Sequence, residues 1–368
     1  MNINYLSWYK DLEVRLQDVP EAYLLMASSV CEPADILKTH LDQFLHKDLS
    51  EILSTSNAWG YPTLEENIAK RYGVLPENVA ATNGVSNAIY LLCRLLLTGD
   101  DHVVIESPAY EPLVASPDFI GCGISFLNRR PPDYSIDPDD LKAVVKPNTK
   151  LVILSNLHNP SSALLPDDLL VELAGEARKI SPDIKVVVDE VYHDFVSRTI
   201  LPAATLDDCF ISLNSLTKSY GLGALHTGWI IAEPDVIDRI KRLQTLVEGS
   251  GAKLLEAFVS FVVANLDEYW ERSASVMTEN RKLLHNHLKP LFDSGIFSGR
   301  IPQHGCIYFP RVDGVDNSDE LVEDLAEKHK VYIIPGRFFG EPGNIRIGFG
   351  GETRKLEQSL SAFASAMK

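Results

Sequence analysis

The chain has 368 residues, 45% of them apolar and 23% charged, with 51 acidic against 34 basic side chains and a net charge of −17 at pH 7. That length and composition fit a soluble globular protein with one large domain, a smaller one, and a core that needs no covalent staples. The acidic balance argues against nucleic acid or an anionic membrane surface as partner, and no apolar run approaches membrane-spanning length.

The opening stretch, MNINYLSWYKDLEVRL, lacks the basic start and continuous apolar run of a signal peptide. Five scattered cysteines form no CxxC pair and are odd in number, so reduced thiols in a cytoplasmic setting are expected. Next comes TNGVSNAIYLLCRLLL, where a Gly-containing turn opens a buried helix at Gly84, Val85 and Ser86. From His102 onward short β-branched runs alternate with helical patterns. HVVIESP, GISFLN, KLVILSN, IKVVVDE, FISLNS and GWIIA read as strands, and PDDLLVELAGEARKI between two of them reads as an amphipathic helix. Such alternation predicts an α/β fold with a mostly parallel sheet between helices. After Glu233 the character changes. PDVIDRIKRLQTLVEG and the stretch from Leu254 to Leu291 are long helical patterns. IYFPRV, VYIIPG and NIRIGFG supply three more short strands, and a terminal helix starts near Thr353. The expected division is a large domain over 46–265 and a smaller α+β domain built from 1–45 and 266–368.

In open α/β sheets ligand groups gather at the carboxyl ends of the strands. Asn159 follows one strand, Asp189 ends another, and Lys218 follows a third in SLTKSYGLGALHTGW. Each has a plain alternative: Asn159 as a turn former before Pro160, Asp189 as a helix cap, Lys218 as a solvated loop lysine. Their convergence on one sheet edge favours chemistry. An amine and a buried acid suit a carbonyl cofactor held as a Schiff base. Pyridoxal 5'-phosphate asks for an amine, an anion for the ring nitrogen, a donor for the ring oxygen and a phosphate cradle. Tyr192 in DEVY is a ring-oxygen donor or a packed tyrosine. Tyr110 in SPAY is a stacking partner or a core aromatic. The TNG turn with Val85 and Ser86, aided by Ser215, is a helix N-terminus suited to phosphate.

These residues resemble the class I and II aminotransferases, fold-type I pyridoxal-phosphate-dependent enzymes. The likeness runs from about Gly60 to Arg346 and is carried by NGVSNA, SPAY, NLHNPSS, DEVY, SLTK…GLGALHTGW and PGRFFGEPGNIRIGF. It implies that Lys218 holds the cofactor covalently and shuttles the α-proton, that Asp189 pairs the ring nitrogen, and that Asn159 and Tyr192 bond the ring oxygen. Tyr110 would stack on the ring, and Val85, Ser86 and Ser215 would bind phosphate. Arg346 would grip the substrate α-carboxylate bidentately beside Asn159; the plain alternative for Arg346 is an internal ion pair. The resemblance further implies a homodimer acting on an amino acid and a 2-oxo acid.

Several positions depart from that pattern. His226 stands eight residues after the lysine where the family usually has a phosphate-binding arginine, so other donors such as Thr217 are expected to help. Ser162 replaces the glycine of the NPTG-type turn. No tyrosine stands at the usual upstream spacing, where Asn57 or Trp59 could substitute. Arg337 in PGRFFG would meet either a distal substrate acid or a surface carboxylate. A lyase, decarboxylase or oxidase on the same scaffold is the alternative activity, and a non-catalytic ligand-sensing module a more remote one. No GxGxxG or Walker-type loop supports a nucleotide-binding reading.

Overall fold

The computed structural model describes residues 5–54, 60–249 and 251–368. At its centre is a seven-stranded sheet. Numbering its strands in chain order, these are β1 (Val79–Thr82), β2 (His102–Ser107), β3 (Gly123–Asn128), β4 (Thr149–Ser155), β5 (Lys185–Asp189), β6 (Phe210–Ser215) and β7 (Gly228–Ile231). Their spatial order is β1-β7-β6-β5-β4-β2-β3. Only β7 runs against the rest, pairing antiparallel with both β1 and β6. The sequence pattern does not predict the first strand, β1: its VAAT run is only four residues long, half of them alanine, and directly precedes the TNG turn.

Side chains alternate between the two faces of the central strands because the backbone is pleated. Val103, Ile105, Leu151, Ile153, Val187, Ile211 and Leu213 point to one face, packed with Ala88, Leu92, Leu113 and Ile237 from helices Gly84–Leu96, Glu111–Ile120 and Pro234–Glu248. Val104, Val152, Leu154, Val186 and Val188 point to the other, against Leu141, Leu170 and Leu173 of helices Pro138–Val144 and Asp167–Ile180. Both faces are therefore covered, which is why these strands read as unbroken apolar runs.

The stretch from Leu254 to Leu291 forms two helices, Lys253–Ala264 and Leu266–Asp293, joined at Asn265. The second packs Met277, Leu284, Leu288 and Leu291 with Leu356, Leu360 and Phe363 of the terminal helix Thr353–Ala366. Beside them strand Ile345–Phe349 pairs antiparallel with Ile307–Tyr308 and Ile334–Pro335, and parallel with Met26–Ala27 near the chain start. Helix Ala34–Leu45 goes elsewhere: its Phe44 packs with Leu64, Ile68 and Phe258 beside the large sheet. Among the described residues no helix is long and apolar enough to cross a membrane.

Candidate active site

The parallel strands end on one edge, and pairing register brings their last residues level. Ser155 of β4 lies opposite Asp189 of β5, while Thr82 of β1 and Ser215 of β6 both lie opposite Gly228 of β7. The three residues singled out in the sequence meet along this edge.

Asp189 is buried, and its Oδ1 accepts the Val191 N–H at 3.2 Å. That turn bond belongs to the plain reading of the residue, but it leaves the second oxygen free of it. Burial pushes the carboxyl up to about 6, with the nearby Lys218 amine opposing. The Lys218 amine is pulled down by burial, partly offset by Cys306 and Asp189. A lowered amine pKa shifts the lysine toward the neutral form, the one that attacks a carbonyl. Its Nζ donates to Ser28 Oγ at 3.4 Å. Ser28 arrives from the other end of the chain because the Val30 N–H bonds the Lys218 carbonyl at 3.0 Å. Gly221 makes that approach possible: at φ +68, a Cβ on it would stand 2.7 Å from the Val30 oxygen.

Tyr192 is buried beyond the end of β5, its phenol raised by burial. Tyr110 caps helix Glu111–Ile120 just after β2 and lies edge-on to Tyr5, ring centres 6.0 Å apart. Asn159 donates its backbone N–H to Ser155 Oγ at 3.1 Å. Its Oδ1 accepts from Arg346 Nη1 at 3.3 Å.

Arg346 sits in the fully buried strand Ile345–Phe349 and is itself 1% exposed. The internal ion pair is not observed: no carboxylate lies within salt-bridge reach among the described residues. Its partners are Asn159 and the Tyr5 hydroxyl at 2.9 Å, its plane faces the Tyr5 and Phe339 rings at 5.5 and 5.0 Å, and its Nε is buried without a partner. A buried cation with no counter-charge costs several kcal/mol (~) unless an anion is delivered to it. Arg337, by contrast, pairs with Asp319 at 2.7 Å on the surface and lies over the Phe338 ring.

The cradle forms where β1 ends. Gly84 opens helix Gly84–Leu96 at φ +76, and Asn83 provides no side-chain cap because its amide is drawn to Glu248 at 2.8 Å. The first-turn N–H groups at Val85 and Ser86 are thus left to an outside acceptor. The His226 ring lies directly over Gly84: a Cβ there would sit 3.2 Å from both Cε1 and Nδ1. Ser215 is buried at the end of β6, its Oγ accepting the Thr217 N–H at 3.3 Å, and Thr217 is half-buried beside it. An uncapped helix start, a basic ring over a glycine and adjoining hydroxyls form a donor set for phosphate. The buried Asp189 carboxyl beside an amine suits a protonated heterocycle. The residues present fit pyridoxal phosphate.

Ser162 takes the left-handed conformation its glycine predecessor would allow, at φ +61. Its hydroxyl donates to the Ile307 carbonyl at 2.8 Å, which holds it there. Asn57 and Trp59 lie outside the described residues. Sequence reasoning missed Tyr5, Ser28 and Ser155. Ser155 has one usable signal, a polar residue closing an apolar strand; Tyr5 and Ser28 lie 341 and 190 residues from the groups they touch.

The family profile described as Aminotransferase class I and II matches residues 22–363. Capreomycidine synthase of Streptomyces vinaceus is 27% identical over 91% of this chain and 85% of its own length. An aspartate aminotransferase of Pyrococcus horikoshii is 25% identical over 85% of this chain and 83% of its own. A solved pyridoxal-phosphate-dependent aminotransferase from Streptococcus suis superposes with a TM-score of 0.84 at 23% identity, covering 96% of both chains.

Proposed function

The chain belongs to the class I and II aminotransferases, pyridoxal-phosphate-dependent enzymes that move an amino group between an amino acid and a 2-oxo acid, and from that premise we propose which of its residues do the work. The bound cofactor supplies an electron-withdrawing ring that acidifies the substrate α-carbon. Lys218 Nζ would hold the cofactor and would carry the α-proton. Asp189 would pair the ring nitrogen, Asn159 and Tyr192 would donate to the ring oxygen, and Tyr110 would stack on the ring. The backbone at Val85 and Ser86, the hydroxyls of Ser215 and Thr217, and His226 hold the phosphate. Arg346 takes the substrate carboxylate with Asn159 beside it. The observation that carries this reading is the buried Arg346 guanidinium, left without a carboxylate partner within hydrogen-bond reach of Asn159. A homodimer in a cytoplasmic setting belongs to the same reading.

The test of the activity is a screen of amino donors against 2-oxo acids, with product analysis. Stoichiometric new amino acid and 2-oxo acid are expected. Release of ammonia or carbon dioxide, or a cyclised product, would replace amino transfer with another reaction at the same centre. Such a second reading is favoured by one finding, the similarity over nine-tenths of the chain to a relative named as a synthase rather than an aminotransferase.

Two predictions test the cofactor side. His226→Ala should weaken pyridoxal phosphate binding by about tenfold, the worth of one hydrogen bond to a charged group, and His226→Arg should restore or exceed native affinity. Equal dissociation constants for all three proteins would remove His226 from the cradle. Asp189→Asn should cost about 2–5 kcal/mol of cofactor binding.

The same substitution has the opposite effect on the cofactor-free fold. Burial raises the native carboxyl from 3.8 to about 6. Between those values the folded chain keeps a proton that the unfolded chain has lost, so the wild type loses stability as pH rises through that window. Relative to wild type, Asp189→Asn should therefore gain stability from about pH 4 to 6 and then level off. Urea unfolding at pH 4.5 and 7.5 measures it; a stability difference independent of pH would refute the assignment of Asp189 as a strained buried acid.

A further inference from the structure

A second buried carboxylate lies behind the first, and the mechanism above does not use it. Glu106 sits in β2 among Val103, Val104 and Ile105, with no exposed surface. Its counter-charge is Arg129, also buried, with Nη1 3.4 Å from Oε2. A buried ion pair is weak support for a fold, because apolar residues of similar volume often serve as well. A glutamate in the middle of this sheet calls for another reason.

Its other oxygen supplies one. Glu106 Oε1 accepts the Ser155 backbone N–H at 2.9 Å and also the Ser155 hydroxyl. Ser155 Oγ in turn accepts the Asn159 backbone N–H at 3.1 Å, and Asn159 Oδ1 accepts from Arg346 at 3.3 Å. The Ser155 carbonyl is also held, by Arg129 Nη1 at 3.3 Å. The polarity of this chain follows from chemistry. Burial lifts the Glu106 carboxyl to about 7 against the opposing charge of Arg129; in the ionised form paired with Arg129 it only accepts, so it takes the single Ser155 proton and leaves that oxygen to accept from Asn159. Asn159, pinned at its backbone and with Oδ1 on Arg346, keeps its amide nitrogen for donation.

We propose that Glu106 is a positioning residue that acts through Ser155 to hold Asn159 against both Arg346 and the cofactor ring oxygen. This rests on the roles given above to Asn159 and Arg346. Glutamine at 106 fits the same space but removes the charge, and its N–H groups can reverse the Ser155 hydroxyl or face Arg129. Alanine at 155 cuts the relay while leaving the Glu106–Arg129 pair in place.

The experiment compares cofactor-loaded wild type, Glu106→Gln, Ser155→Ala and Ser155→Thr. A donor to the ring oxygen stabilises its anionic form, so misplacing Asn159 should raise the pH midpoint of the bound cofactor's visible absorption. A rise of about half a unit or more is expected in Glu106→Gln and Ser155→Ala, with Ser155→Thr returning toward wild type because it restores the hydroxyl. KM for the best amino donor should rise several-fold more than kcat falls. Glu106→Gln and Ser155→Ala that keep the native midpoint and KM, and change only thermal stability, would show the pair to be structural and overturn the proposal. A wild type with no visible cofactor band would instead bring down the earlier reading, and this one with it.

Discussion

Lys218→Ala is expected to abolish measurable amino transfer while leaving a folded protein. Loss of the proton-transfer group alone accounts for roughly 10^2 to 10^4 in rate, and loss of the amine that activates the cofactor aldehyde adds to it. The structural basis is the position of Nζ, which is drawn down in pKa by burial and shares the carboxyl edge of the sheet with Asp189. Two measurements separate the chemistry from a folding defect. Borohydride should fix a pyridoxyl mass on the peptide carrying Lys218 in wild type and on no peptide in the variant. Small primary amines added at millimolar concentration should recover part of the half-reaction, since they can enter the space the side chain vacates. Wild-type turnover by Lys218→Ala would end the assignment.

Arg346→Lys is expected to lower kcat/KM by roughly a hundredfold to several thousandfold, corresponding to about 3–5 kcal/mol for a broken buried charge contact. The conservative charge does not rescue it, for two reasons. A guanidinium offers two parallel N–H donors to a carboxylate, whereas an ammonium is a point charge. The native side chain is also held by Asn159, the Tyr5 hydroxyl and the faces of Tyr5 and Phe339, a setting shaped for a planar group. Single-turnover spectra with saturating and limiting amino donor give the split: the apparent affinity should fall more than the maximal rate. Amines lacking a carboxylate should react equally slowly with both proteins. If lysine at 346 supported native affinity for amino acids, the carboxylate would be bound elsewhere.

Tyr5 shows where reading the chain alone runs out. It stands on the first described helix, Tyr5–Leu16, yet its hydroxyl meets an arginine 341 positions away. Nothing in YLSWYKDLEV distinguishes a tyrosine that will complete a buried guanidinium from one that covers a core. The absent ion pair at Arg346 is of the same kind. An arginine inside an apolar strand announces a need for partners, but whether a carboxylate or a hydroxyl answers depends on which distant segment is folded over it. Glu106 is subtler still, because HVVIESP reads as a strand ending in a polar turn whether or not its glutamate faces Ser155.

The strand and helix pattern, by contrast, was legible because it is local. Period-two burial on both faces of a parallel sheet writes unbroken β-branched runs. β3 and β6 coincide with their runs, and β2, β4, β5 and β7 lie within a residue of theirs at each end. Asp189 closes its run, while Asn159 and Lys218 follow theirs by a few residues, so all three could be assigned to one sheet edge from order alone. β1 is not legible in this way because four residues, two of them alanine, are too short a run to show a period. What the order of residues could not decide is which way buried hydrogen bonds point and which remote segments close the site. Those are set by tertiary packing, between segments far apart as with Ser28 beside Lys218 and His226 over Gly84, or between neighbouring strands as with Arg129 holding the charge of Glu106. A hydrogen bond is decided over tenths of an ångström, whereas hydrophobic periodicity tolerates much coarser placement, so the first needs the tertiary structure and the second does not.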